Sequence, residues 1–230
     1  TVEALGGVDV LVNNAGIIRR ADALDFTPDD WNDVIDVNLK AAFFLAQAAA
    51  RRFVEQGTGG KIVNVASMLS YQGGVRVASY TASKSGILGL TRLLANEWAA
   101  RGINVNAIAP GYMATDNTAP LRADPHRAAE ILARIPAGRW GEPADLDGAV
   151  VFLASKPSAW TTGGRGLSGS PVRLDGDQGG VHLVEHHAPV DDAAHHVGTA
   201  RQVVHHVEQY LFEDGPQPAR AGASLQRLFG

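Results

Sequence analysis

No cysteine occurs among the 230 residues, so disulfides and thiolate chemistry are excluded and the composition suits a reducing cytoplasm. Basic charge is not in excess either. A formal net charge of -4 at pH 7 leaves no positive stripe for a nucleic-acid backbone. No apolar run approaches the roughly 18 residues that a membrane span needs, so neither nucleic acid nor membrane is expected as a partner. The opening TVEALGGVDVLV lacks an initiator methionine and the basic n-region of a signal peptide, and it reads as the middle of a longer domain. Internal repeats are absent. What is present is 45% apolar and 19% charged residues, enough for one soluble α/β domain with a sizeable core.

Short apolar runs alternate with amphipathic ones. VDVLVNNAG (8–16) is an apolar run stopped by Asn-Asn and Gly, the pattern of a strand buried on both faces. Thr27 then caps a helix with Pro28 in its first position and Asp29 and Asp30 at its positive end, predicted to run to about Gly57. KIVNVAS (61–67) is a second strand, a helix follows from about Ser79 to Arg101 and ends at Gly102, and INVNAIAP (103–110) is a third strand closed by Pro110. That order predicts a parallel sheet covered by helices, with its ligand beyond the carboxyl ends of the strands. After Pro110 comes a long connection with a helix near 125–135, a length typical of a lid, and then a helix through GAVVFLAS.

Tyr80 and Lys84 stand four apart at the start of the long second helix, in YTASKSGILGL. Residues at i and i+4 share a helix face, so an ammonium can sit beside the phenol and stabilise its anion. A free tyrosine titrates near pH ~10, so only about one molecule in a thousand is tyrosinate at neutral pH, and each unit of depression supplies ~1.4 kcal/mol toward a usable base. The spacing alone also fits an ordinary exposed helix face. Its company narrows the reading: Ser67 at the end of the second strand, NNAG ending the first, Asn38 inside the first long helix, and PGYMAT after the third strand.

In this order, NNAG, Asn38, Ser67, Tyr-x-x-x-Lys and Pro-Gly resemble the short-chain dehydrogenase/reductase family over roughly residues 1–163. The resemblance implies a Rossmann-type, doubly wound parallel α/β sheet that binds NAD, with NADP not excluded. It makes Tyr80 the general acid/base, gives Ser67 the substrate oxygen, has Lys84 lower the Tyr80 pKa while binding the nicotinamide ribose, and assigns Asn38 a proton-relaying water. It also places Asn14, Ala15 and Gly16 under the adenosine half of the cofactor and Met113 and Thr115 at its nicotinamide end, and counts Pro110 and Gly111 among the cofactor-binding residues. The hydride passes between substrate carbon and nicotinamide, and no metal is called for. NNAGIIRRADALDF, ASMLSYQGGVRVASYTASKSG, NAIAPGYMATDNTAPLRAD and RIPAGRWGEPADL are similar to members that act on deoxy sugar acids. A sugar-acid carboxylate suits a bidentate arginine, and Arg76 is the first candidate, followed by Arg19, Arg20 and Arg122. Family members pair through their two long helices, so a homo-oligomer, dimer or tetramer, is implied.

Two departures qualify the resemblance. The Gly-rich T-G-x-x-x-G-x-G loop that holds a pyrophosphate, with its strands, does not occur, so the sheet is expected to be truncated at the amino-terminal side with the first strand's edge open. On that expectation, a noncatalytic fragment unable to bind cofactor stays open beside the enzyme reading, as does a family member acting on another polyol or keto substrate. Residues 164–230 form a second region: they hold no lysine and seven of the eight histidines, and LDGDQGG echoes the Val-Asp-Gly-Gly of the family's last strand. A poorly ordered or out-of-frame tail is expected there, or an appended helix around ARQVVHHVEQYLF. The His pairs at 186–187, 195–196 and 205–206 lack the spacing of a metal site.

Overall fold

The computed structural model describes residues 2–163, and the tail features named above lie outside them. Three strands, β1 (Val10–Asn13), β2 (Gly60–Val65) and β3 (Ile103–Ile108), form one parallel sheet in the order β1-β2-β3. Register aligns Leu11 with Ile62 and Ile62 with Val105, which puts a row of apolar side chains on one face. The helices are α1 (Val2–Leu5), α2 (Pro28–Ile35), α3 (Ala42–Gln56), α4 (Leu69–Gln72), α5 (Ala78–Trp98), α6 (Ala119–Ala123), α7 (Pro125–Leu132) and α8 (Asp147–Ala154). Ala46, Ala50 and Phe53 of α3 and Leu94 and Ala95 of α5 close over that row to form the main core.

Phe53 is fully buried, and its ring is why residue 60 is glycine: a Cβ there would fall 2.5 Å from it. On the same face Asn13 Nδ2 donates to Asn64 Oδ1 at 2.9 Å and Asn64 Nδ2 donates to Thr91 Oγ1 at 2.9 Å, so buried polar groups are paired across strand and helix. On the opposite face Asn104 and Asn106 donate to the carbonyls of Ala159 and Thr161, and α8 packs against β2 and β3. Helical layers thus flank the sheet, as the alternation predicts.

Local signals act where expected. Thr27 Oγ1 accepts from Asp30 N at 3.1 Å, Pro28 opens α2, and Gly57 and Gly102 end α3 and the α5 turn in the left-handed region, where glycine carries no Cβ penalty. The helix expected to run unbroken from Thr27 to Gly57 is instead interrupted by a π turn, Asp36–Ala41, between α2 and α3. The inserted turn re-aims one side chain, that of Asn38, and π bulges of this kind collect at functional sites. Among the described residues β1 has only β2 as a neighbour, so its outer edge is open.

Candidate active site

The candidate residues gather where parallel strands present ligands, at the carboxyl ends: Asn14, Ala15 and Gly16 follow β1, Ser67 follows β2, and Pro110 and Gly111 follow β3. Asn38 reaches the first of these loops from the π turn. It is buried, its Oδ1 accepts from Ile17 N at 2.8 Å, and its Nδ2 donates to Ile17 O at 2.9 Å and to Ser83 Oγ at 3.2 Å. With its amide committed in this way, Asn38 acts as a brace between the β1 loop and α5.

Ser67 Oγ accepts from Leu69 N at 3.1 Å, and its hydroxyl is also hydrogen-bonded to the Tyr80 side chain. Lys84 is 4% exposed; its Nζ donates to Val65 O at 2.6 Å and lies 5.8 Å from the centre of the Tyr80 ring. Burial holds the Lys84 ammonium down at about 8. The Tyr80 phenol is held above its ordinary value, chiefly by burial, against which the Ser67 hydrogen bond and then the charge of Arg20 act. The sequence expectation that Lys84 depresses Tyr80 gives way to burial as the larger effect, and the cationic charge that acts against it is that of Arg20.

The four arginine candidates separate cleanly. Arg76, the first candidate, is an exposed residue with φ 64, a left-handed conformation uncommon outside glycine; its Nε lies 3.4 Å from Asp22 Oδ1 and its carbonyl accepts from Ala21 N at 3.1 Å. Arg19 is committed to Asp33 at 3.1 Å and Asp30 at 3.4 Å. Arg122 donates to Thr115 O at 3.1 Å. Arg20 faces no carboxylate in the described structure. It donates to Asn117 O at 2.9 Å, joining the loop after NNAG to the segment beyond β3, and its guanidinium acts on Tyr80.

That segment is the long connection after β3. Met113 and Gly141 form an isolated parallel bridge, with Ala114 N donating to Gly141 O at 2.7 Å and Gly141 N to Tyr112 O at 2.9 Å. A Cβ at residue 141 would lie 2.5 Å from Met113 Sδ, so glycine permits the approach. Thr115 and Thr118 form a capping box, and Arg139 makes a two-pronged bond to Asp145 at 2.7 and 2.9 Å. Sequence reasoning missed Ser83 and the Arg139–Asp145 pair. Ser83 stood in plain view inside Tyr-x-x-x-Lys, but its partner is 45 positions away.

Known proteins share this fold. The family model described as Enoyl-(Acyl carrier protein) reductase matches residues 1–166. The chain is 65% identical over 162 residues to the 2-dehydro-3-deoxy-D-gluconate 5-dehydrogenase of Escherichia coli (strain K12), covering 70% of this chain and 64% of that protein. It is 55% identical to the enzyme of the same name from Bacillus subtilis (strain 168), over 68% of this chain and 61% of that one. A crystal structure of a gluconate 5-dehydrogenase from Burkholderia cenocepacia J2315, in complex with NADP and tartrate, superposes with a TM-score of 0.68 at 42% identity, covering 70% of this chain and 64% of that one. The chain belongs to the short-chain dehydrogenase/reductase family. It spans just under two thirds of the length of the curated relatives it matches.

Proposed function

We propose that the chain carries the catalytic part of an NAD(P)-dependent dehydrogenase of deoxy sugar acids, acting on 2-dehydro-3-deoxy-D-gluconate or its reduced counterpart. The observation that carries this reading is the convergence on one phenol of the Ser67 hydroxyl, the buried Lys84 ammonium and the Arg20 guanidinium. In oxidation, Tyr80 must first lose its own proton and then, as phenolate, takes that of the substrate hydroxyl while Ser67 holds the same oxygen; in reduction the neutral phenol gives its proton to that oxygen. NAD(P), when held here, supplies the hydride acceptor or donor.

The residues present fit the nicotinamide half of that cofactor. At Gly16 the missing Cβ leaves a space bordered by Asn38 Oδ1 and Lys84 Nζ, each within 3.5 Å of where the carbon would stand. Lys84 would hold the ribose there, Asn14 and Ala15 would lie along the adenosine side, and Pro110, Gly111, Met113 and Thr115 would cover the nicotinamide from the segment after β3. Asn38 supports the proton path by fixing the β1 loop against α5. Arg20 is the best-placed anchor for a substrate carboxylate, because among the described residues it has no carboxylate partner and its charge already acts on Tyr80. Arg76 stands further out, beside Asp22.

A homo-oligomer, dimer or tetramer, goes with this reading. Trp31, Val54 and Leu93, on α2, α3 and α5, are 42%, 47% and 46% exposed, as a paired helix surface would require before pairing. No helix among the described residues is long and apolar enough to cross a membrane. A cytoplasmic location suits the cofactor and the cysteine-free sequence.

The test is a hybrid in which this chain is joined to the parts of the Escherichia coli relative that the match leaves out. With NAD or NADP it should oxidise deoxy sugar acids at least about a hundredfold faster than uncharged polyols, since a polyol leaves the anchoring arginine unpaired. Equal rates on a neutral polyol would overturn the carboxylate assignment, and absence of turnover on either would overturn the dehydrogenase.

A further inference from the structure

Ser83 lies on α5 between Tyr80 and Lys84, and none of its surface is exposed. Its Oγ donates to the Tyr80 carbonyl at 2.8 Å, the back-bond that any helical serine can make to its preceding turn. The same oxygen accepts from Asn38 Nδ2 at 3.2 Å, which local helix geometry does not explain. The other two bonds of the Asn38 amide both go to Ile17. They tie the π turn to the β1 loop, while Leu39 of the same turn packs against Gly86 of α5. Among the described residues, the Ser83 bond is the hydrogen bond that joins the Asn38 side chain to the helix turn that carries Tyr80 and Lys84. Asn38 Oδ1 and Lys84 Nζ border the same small space above Gly16, at 3.4 and 3.5 Å from its virtual Cβ, so the amide and the ammonium stand at one end of the site.

We propose that Ser83 is a positioning residue, whose hydroxyl fixes the Asn38 amide against the turn of α5 bearing Tyr80 and Lys84. This rests on the reading that those residues form the active site; Ser83 itself contacts neither substrate nor cofactor. Without the hydroxyl, one buried N–H of Asn38 loses its acceptor and the amide must turn to find another.

The experiment reads the amide directly, so it does not depend on turnover. The 230-residue chain is labelled with nitrogen-15, and the Asn38 side-chain signal is assigned by its loss in Asn38→Asp. Hydrogen exchange at that side chain is then followed in Ser83→Ala and in Ser83→Cys, which fills the space with a poor acceptor. In both variants exchange should quicken by at least about tenfold, while the backbone amides of Ile62 and Val105 keep their protection. Unchanged exchange at Asn38 would overturn the proposal. Equal loss of protection at Ile62 and Val105 in both variants would also overturn it, by making Ser83 a residue of the fold at large. Failure of the dehydrogenase reading would show instead as a hybrid without turnover.

Discussion

Asn38, Ser83 and Lys84, on the floor of the site, are no more than 4% exposed and bond to partners far away in sequence, whereas the bonds shaping residues 111–142 mostly join near neighbours at the surface. Thr118 bonds within its own turn, Asp124 caps α7, and Arg127 pairs with Glu130 one turn on. The floor is therefore held by contacts that only the complete fold supplies, and its geometry is set before any ligand arrives. Residues 111–142 are made of locally bonded pieces. Among the described residues their ties inward include the buried side chain of Ile131 and the hydrogen bond from Arg20 to Asn117, while the Met113–Gly141 bridge closes the segment on itself. Arg20 is the residue that belongs to both regions.

Breaking the floor should have the larger effect. Lys84→Met in the hybrid removes a buried cation beside the phenol and its bond to Val65, and turnover should fall by about two to three orders of magnitude, with weaker cofactor binding. Steady-state rates together with NADH titration check this; a variant that loses affinity but keeps its rate would reduce Lys84 to a ribose contact. Arg20→Ala tests the link between the floor and that segment. It should raise KM for the sugar acid by about ten- to a hundredfold, as loss of one charge-assisted contact does, and slow neutral polyols far less, through the lost charge acting on Tyr80 alone.

The floor also predicts a pH signature in the 230-residue chain. Burial lowers the folded Lys84 ammonium to about 8 from its ordinary 10.5. Below pH 8 both folded and unfolded chains carry the charge, and the cost of burying it is fully present. Between 8 and 10.5 the unfolded chain still holds a proton that the folded one has released, so this residue's contribution makes the protein more stable as pH rises. Tyr80, raised by burial, begins to oppose this only near its ordinary value of 10.0. Urea denaturation of the wild type and Lys84→Met from pH 7 to 10 should show the wild type gaining on the variant by about 1 kcal/mol per unit above pH 8. A constant difference would mean that Lys84 is not buried as described. Smallest of all, Gly141→Ala should push the end of the Met113 side chain aside and raise KM by only a few-fold, because a locally bonded segment can give way.

Much of this fold is legible in local chemistry. Thr27, Pro28, Gly57 and Gly102 mark helix ends because caps depend on a residue's own conformation and its nearest neighbours, and the three apolar runs become the three strands. The π turn at Asp36–Ala41 is not marked in this way. DVNLKA reads as plain helix, and the extra turn is sustained by bonds from Asn38 to Ile17 and Ser83, which no periodicity reveals. Arginine placement is hidden for the same reason: Arg76 has the more suggestive position, four before Tyr80, but a left-handed backbone and Asp22 draw it outward, while Arg20 reaches the phenol across the fold. Tyr80 and Lys84 are legible as a pair, yet their electrostatics are not, since burial reverses the simple expectation for the phenol.

The central claim is that Tyr80 is the proton-transferring group of a floor fixed in advance. Tyr80→Phe in the hybrid, assayed with a deoxy sugar acid and NAD(P), tests it most directly because it removes one oxygen and leaves the ring. Turnover should drop by at least about a hundredfold, the low end of what a general acid/base supplies, with NADH affinity near that of the unsubstituted hybrid. A phenylalanine variant that kept more than about a hundredth of the rate would contradict the account.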